Sequence, residues 1–345
     1  MIKLQIKIKI MLTKKIPVYF LLIAVVLMSF FAFACYQYAA TKNIESEDLS
    51  IVEGGNNCEL KIKRLNGFQF IRPLVYAEPI CESDNLVKHK SELESIINDN
   101  KSLGNITSAS VYIREFSKAE WISINEKEMY STGSLMKIPE LIALYKMREK
   151  EPDFFNRKVV FSQEIKTDKH PVYLSKRIVV GNTYTIKELI DYMIVYSDNN
   201  ATILLNRIVD ENVFKRVFSD VGLQQPNFAL PQYPINVNDF SVFMKELFNA
   251  SYLSQEDSES CLAMLSKSDF TQGLISGLPS GCSVAHKFGE GGQDTNPNFS
   301  ESAIVYCGKK PYLLTIMTKG NDIKKLPKVI SEISKKVYDI MSTWV

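Results

Sequence analysis

The chain has 345 residues, 46% of them hydrophobic and 23% charged, with 41 Lys and Arg against 39 Asp and Glu and a formal net charge of +2. That length accommodates one sizeable core and a smaller appendage. The near-neutral balance supplies no basic stripe, so nucleic acid is not an expected partner, and neither an internal repeat nor a low-complexity tract is present.

Lys3, Lys7, Lys9, Lys14 and Lys15 precede an uncharged, mostly apolar run over residues 16–40. The run is long enough to span a bilayer as a helix. Positive charge before it and none within it predict a cytoplasmic N-terminus and an exported remainder, at the bacterial cell surface or in the periplasm. Three fates stay open for residues 1–40: a retained membrane anchor, a signal peptide cleaved after Ala32-Phe33-Ala34, or a lipoprotein signal acylated at Cys35. Phe33, and the absence of Leu three residues before Cys35, make a poor lipobox. Of the other cysteines, Cys58 and Cys81 flank one short segment, and Cys261 and Cys282 lie in the C-terminal half. Either pair suits a disulfide in an oxidising compartment, and unpaired buried thiols suit the spacing equally. No Cys and His grouping has the spacing of a zinc site, and neither a metal nor a cofactor is expected.

Residues 41–56 are polar with a Gly-Gly pair and read as a linker; 58–81 read as a strand or two packed on the main domain. Together 41–85 form a linker and short N-terminal extension, and 86–345 the main domain. Residues 85–101 have the pattern of one amphipathic helix, and 106–116 and 119–126 alternate as two antiparallel strands. A helix apolar on nearly every face starts at Ser134, and a mostly helical stretch runs from Thr185 to Leu265. Three more strands are expected over 282–290, 301–308 and 311–320, the last two joined by a Gly-Lys-Lys turn, before a closing helix over 325–344. The pattern predicts an α+β fold. Its five-stranded antiparallel sheet is built from both chain ends and flanked by helices, with an all-helical lobe inserted between them.

The stretch "YSTGSLMKIPELIALYKM" (130–147) sets Ser134 and Lys137 one turn apart at the mouth of that helix. At a helix start the free N–H groups and the macrodipole disfavour a cation, and burial does the same, so Lys137 is expected to shift toward its neutral form. A neutral lysine touching a serine hydroxyl can take its proton and make the serine a nucleophile. A capping serine and a lysine reaching to water fit the same four residues. Two later stretches tilt the balance. Ser197-Asp198-Asn199 ends an apolar helical pattern, and Lys287-Phe288-Gly289 lies on a late strand.

The ordered trio S-x-x-K, S-D-N and K-x-G resembles the active-site-serine penicillin-recognising enzymes, most of all the class A β-lactamases, over residues 86–345. The resemblance implies a β-lactamase/transpeptidase-like fold and a small-molecule β-lactam or a cell-wall peptide as the reacting partner. It makes Ser134 the nucleophile, Lys137 its general base and Ser197 a proton relay between the two lysines. Asn199 then holds the substrate amide, and Lys287 and Gly289 belong to the substrate site, Lys287 facing a carboxylate. The backbone N–H groups of Ser134 and Glu290 make the oxyanion hole, and Asp198 braces its turn. The working unit is expected to be a monomer.

A histidine-based triad is the rival. His89 falls in the first helix, His170 precedes Pro171 in a loop, and His286 points to the opposite face from Lys287. None suits a triad. Two departures from the resembled family matter. Its deacylating glutamate should lie in the loop matching residues 222–241, which hold no glutamate; Asp239 opens the next helix there and is expected to cap it. Phe288 replaces a hydroxyl residue at a position expected to point at the substrate carboxylate. The reading is therefore an exported serine hydrolase acting on a β-lactam or related amide. Its alternatives are a D-Ala-D-Ala peptidase or penicillin-binding enzyme with slow deacylation, and a non-turnover binding or sensor domain.

Overall fold

Strands from opposite ends of the chain lie side by side in the main sheet of this protein, seen in a computed structural model. The structure describes residues 27–29, 31–32, 49–53, 58–164, 171–173, 175–227, 233–308 and 310–343. β4 (Ser108–Glu115) and β5 (Trp121–Ile124) come from one end, and β10 (Ser283–Gln293), β11 (Asn296–Tyr306) and β12 (Tyr312–Lys319) from the other. All pairs are antiparallel, in the order β10-β11-β12-β4-β5. The α+β fold with its five-stranded sheet is as the sequence pattern implies.

The central strands are buried on both faces, which is why β12 reads as a nearly unbroken apolar run, while β4 and β11 also bury polar side chains such as Ser110, Glu301 and Ser302. Alternation then divides the protein into two cores. Leu313 and Met317 of β12 face one, and Leu314 and Ile316 the other. The second core is closed by α2 (Lys90–Ser102) and α9 (Leu326–Ser342), through Leu93, Val329, Ile333 and Val337. The first is closed by the helical lobe: α3 (Lys137–Lys150), α4 (Ile186–Val195), α5 (Asn199–Asn206), α6 (Glu211–Asp220), α7 (Val237–Asn249) and α8 (Gln255–Leu265). Minor two-stranded pairings, β6 (Tyr130–Ser131) with β9 (Pro234–Ile235) and β7 (Lys158–Val160) with β8 (Thr183–Thr185), lace its loops.

Several expectations need correction. The single helix expected over 85–101 is two: His89 N bonds back to Leu86 O (2.9 Å), which closes α1 (Asp84–Val87) before α2 begins. Asp239 does not cap α7. The cap is Asn236, whose Oδ1 accepts from Asp239 N (2.9 Å). The segment expected as a linker contains β1 (Leu49–Glu53), which joins β2 (Glu59–Arg64) and β3 (Leu74–Pro79) in a three-stranded sheet. Cys58 is bonded to Cys81, but Cys282 is bonded to Cys307, leaving Cys261 free and buried. The β10–β11 register pairs Ser283 with Tyr306, so the residues just outside that pair, Cys282 and Cys307, meet across the ladder. Among the described residues no helix is long and apolar enough to cross a membrane; the run 16–40, apart from 27–29 and 31–32, and Cys35 lie outside them.

The N-terminal sheet is tied into the main domain. Val75 and Tyr76 enter the first core, and Trp121 Nε1 donates to Pro79 O (2.9 Å). Glu78 Oε2 accepts from Arg114 Nη1 (3.0 Å) and Lys245 Nζ (2.7 Å), both nearly buried. Removing one partner of such a cluster strands the other charges in low dielectric. Glu78→Ala should therefore lower unfolding stability by about 3 kcal/mol, read as a drop in the denaturation midpoint.

Candidate active site

Ser134 lies in a 3-10 turn, Gly133–Met136, and the α-helix starts only at Lys137, three residues later than the sequence suggests. The turn is pressed flat against β10. Gly133 has φ +50°, and a Cβ there would lie 1.9 Å from Glu290 O. A Cβ on Gly289 would sit 2.6 Å from Thr132 O and 2.7 Å from Leu135 N. Gly289 is thus demanded by the packing of its strand on the serine turn, and the same packing brings the Ser134 and Glu290 backbones together.

Lys137 is buried, and its three N–H donors are all engaged: with Ser197 O (2.8 Å), Ser197 Oγ (3.2 Å) and Asn199 Oδ1 (3.0 Å). None reaches Ser134, so the direct contact read from the S-x-x-K spacing is replaced by one with the S-D-N turn. Burial lowers the amine to about 8, with Glu140, Asp198 and Glu290 pulling the other way. Lys287, fully buried on β10, donates to Ser197 Oγ (2.9 Å) and Phe288 O (2.9 Å). Burial, then the neighbouring Lys137, pushes it well below the usual lysine range. That works against the full charge the resemblance assigns to Lys287.

Ser197 Oγ therefore sits between two amines. Its backbone is held at φ +54°, a conformation non-glycine residues seldom take. Asp198 holds the turn: Oδ1 accepts from Asn200 N (2.8 Å), capping α5, and Oδ2 from Ile178 N (2.7 Å). Ser134, Asn199 and Glu290 line two adjoining cavities of about 610 and 530 Å³. The trio read from the sequence converges, through elements separated by 60 to 90 residues.

The model of the beta-lactamase enzyme family matches residues 88–341. The chain belongs to that family. Solved structures share its fold at low identity. PBP-A is 20% identical, with a TM-score of 0.61 over 72% of this chain and 95% of that one. A beta-lactamase from Sphaerobacter thermophilus is 19% identical, at 0.60 over 73% and 97%. A class A beta-lactamase from Mycobacterium abscessus is 18% identical, at 0.61 over 73% and 99%. No curated protein sequence matches the chain.

Three features of the site in this beta-lactamase-like domain bear on its chemistry. Residues 228–232 of the loop in which a glutamate was sought lie outside the described residues, and the sequence from Gly222 to Ser241 has none. Phe288 is 5% exposed and packs on Phe270 (ring centroids 4.2 Å apart), Phe299 and Tyr173. It lines the smaller cavity as part of an aromatic wall, at the position expected to point at the substrate carboxylate. The Glu290 side chain, which sequence reading left aside, accepts from Val172 N (2.8 Å) and Tyr173 N (3.0 Å) and fixes one rim of that cavity.

The two described histidines stay away from Ser134. His286 Nδ1 bonds Glu301 Oε1 (2.7 Å) on the other face of β10, and His89 meets Glu92 (2.9 Å) on α2. His170 lies outside the described residues. Among the described residues no three His, Cys, Asp or Glu side chains gather as a metal site. Sequence reading missed one buried group, Glu140, which lines the larger cavity with Ser134 and Lys137. A lone carboxylate at i+3 from Lys137 on an apolar helix was the available signal.

Proposed function

We propose that the domain is a serine hydrolase that acylates Ser134 with a β-lactam or related amide and hydrolyses the acyl-enzyme. The observation that supports it most is Ser197 Oγ, bracketed by Lys137 Nζ at 3.2 Å and Lys287 Nζ at 2.9 Å beside Ser134. Ser134 Oγ adds to the amide carbonyl carbon, and its proton passes to the neutral amine of Lys137. For that transfer the neutral Nζ, left with two N–H donors, gives up one of its three acceptors and turns its lone pair to accept the Ser134 O–H; catalytic hydrogen bonds often tighten only once substrate is in place. The N–H groups of Ser134 and Glu290 receive the oxyanion, each such donor being worth about 3 kcal/mol. The C–N bond then breaks, and Lys137 returns the proton through Ser197 Oγ to the leaving nitrogen. Asn199 Oδ1 already orients Lys137, leaving its Nδ2 for a substrate carbonyl.

A variant of PBP-A has been solved as its acyl-enzyme complex with penicillin G, which makes a penicillin the natural first probe. Export fits the charge pattern of residues 1–40, as signal or membrane anchor, and the two disulfides suit an oxidising compartment. Residues 41–85 are then an extension of a monomeric catalytic domain over 86–345. The missing loop glutamate favours a second reading, a D-Ala-D-Ala peptidase or penicillin-binding enzyme with slow deacylation. Adding benzylpenicillin and following intact mass from seconds to hours separates them. An adduct that forms and vanishes as penicillin is consumed supports the hydrolase; one that persists supports the second reading. No adduct, and no D-alanine released from a peptide ending in D-Ala-D-Ala, would overturn both.

A further inference from the structure

The larger cavity runs from Ser134 along α3 toward α5 and α6. Three carboxylate side chains reach it: Glu140, Glu211 and Glu290. Two are committed elsewhere. Glu211 is exposed and pairs with Lys215 (2.5 Å), and both oxygens of Glu290 accept backbone N–H groups of residues 172 and 173. Glu140 is 4% exposed, and its Oε1 is buried without a hydrogen-bond partner. An unpartnered buried carboxyl weakens a fold, so its presence one turn beyond Lys137, in the serine's own cavity, calls for a chemical reason.

We infer that Glu140 is the general base of deacylation, supplied from helix α3 in place of the loop after α6; the inference rests on the acyl-enzyme reading above. A water held in the cavity adds through its oxygen to the ester carbonyl carbon of acylated Ser134 and gives a proton to the Glu140 carboxylate. The bond from that carbon to Ser134 Oγ then breaks, and Oγ recovers the proton from Glu140 through Lys137 Nζ. The acid product leaves, and water is the only co-reactant.

The charged groups facing Glu140 are Lys137 on its own helix, Glu211 from α6 and Glu290 from β10, while α5 brings only the neutral Asn199, Thr202 and Asn206. Burial raises its carboxyl to about 8, and Lys137 opposes the rise. The carboxylate is the working form, so adduct loss should quicken as pH rises and level off above about 8. Folding has the opposite slope. A carboxyl whose folded value exceeds its ordinary 4.5 withdraws stability as pH climbs between the two, so Glu140→Gln should melt higher than the parent chain, with a gap that widens from pH 5 to pH 8.

The test uses the full chain and E140Q with benzylpenicillin, following intact mass across pH 5 to 9. The expected result is acylation within a few-fold of the parent, with adduct loss slowed about 100-fold and no longer rising with pH. Glu140→Asp, one methylene short, should recover part of the turnover. Equal adduct loss in parent and E140Q, or a parent whose adduct never leaves, overturns the role for Glu140 while leaving acylation at Ser134 intact. Absence of any adduct in either chain removes the acyl-enzyme reading itself, and this inference with it.

Discussion

Ser134→Ala should abolish covalent labelling by a penicillin, with any residual consumption of the β-lactam reduced by about 10,000-fold or more. The expectation follows from the convergence on one point of the turn at 133–136, the Ser197 turn and β10, where Ser197 Oγ is already held by two amines. The substitution removes one partly buried hydroxyl that has no hydrogen bond among the described residues, so stability should stay within about 0.5 kcal/mol of the parent. Labelling that survives in a folded variant, located by peptide mapping at another residue, would remove Ser134 as the nucleophile. Ser197 is the residue to inspect first, since it carries the hydroxyl held by two amines.

What the sequence made legible was whatever is local or carried by residue type. The sheet strands are long apolar or alternating runs, and their assignment to one antiparallel sheet required only that both chain ends meet. The three motifs were legible because each is a short string whose chemistry is written in its residues. Pairing across distance was not. Cys282 could be matched with Cys261 on spacing alone, because only the β10–β11 register shows that Cys307 stands opposite. The S-x-x-K spacing is silent on the acceptors of Lys137 for the same reason. One turn of helix brings Ser134 near it in sequence, whereas the three acceptors that hold Nζ come from a turn 60 residues away.

Glu140 and Phe288 show a second limit. Glu140 goes unremarked as a charge on an apolar helix, and Phe288 is read only from its place on its own strand. Their meaning comes from neighbours the pattern does not name. Phe288 is one of four aromatic rings, with Phe270, Phe299 and Tyr173 drawn from three other segments. Glu140 is notable only because α5 and α6 leave a cavity in front of it. The break at Lys88 and His89, by contrast, is set by a single backbone bond, and side-chain periodicity is blind to it.

Lys137→Ala should slow acylation about 1,000-fold while the domain stays folded. The size of the effect comes from how burial prepares the amine. With its value at about 8 in place of the ordinary 10.5, the fraction of neutral amine at pH 7 rises roughly 300-fold. Acylation by the parent should therefore accelerate with pH and level off above about 8, and the variant should lose that rise. Stability moves in a compatible direction. Because the folded value lies below the unfolded one, burying Lys137 weakens folding most below about pH 8, and the penalty fades as pH climbs toward 10.5. Deleting the side chain removes that penalty but releases Ser197 O and Asn199 Oδ1, both on cavity-lining residues, while Ser197 Oγ keeps the bond from Lys287. The two changes oppose each other, so the melting temperature should move by only a few degrees at pH 7 while the acylation rate falls by three orders of magnitude. A pH rise near 8 that persists in the variant would transfer the base to Lys287, the other amine on Ser197 Oγ, because a relay with two donors requires only one of them to be free of its proton.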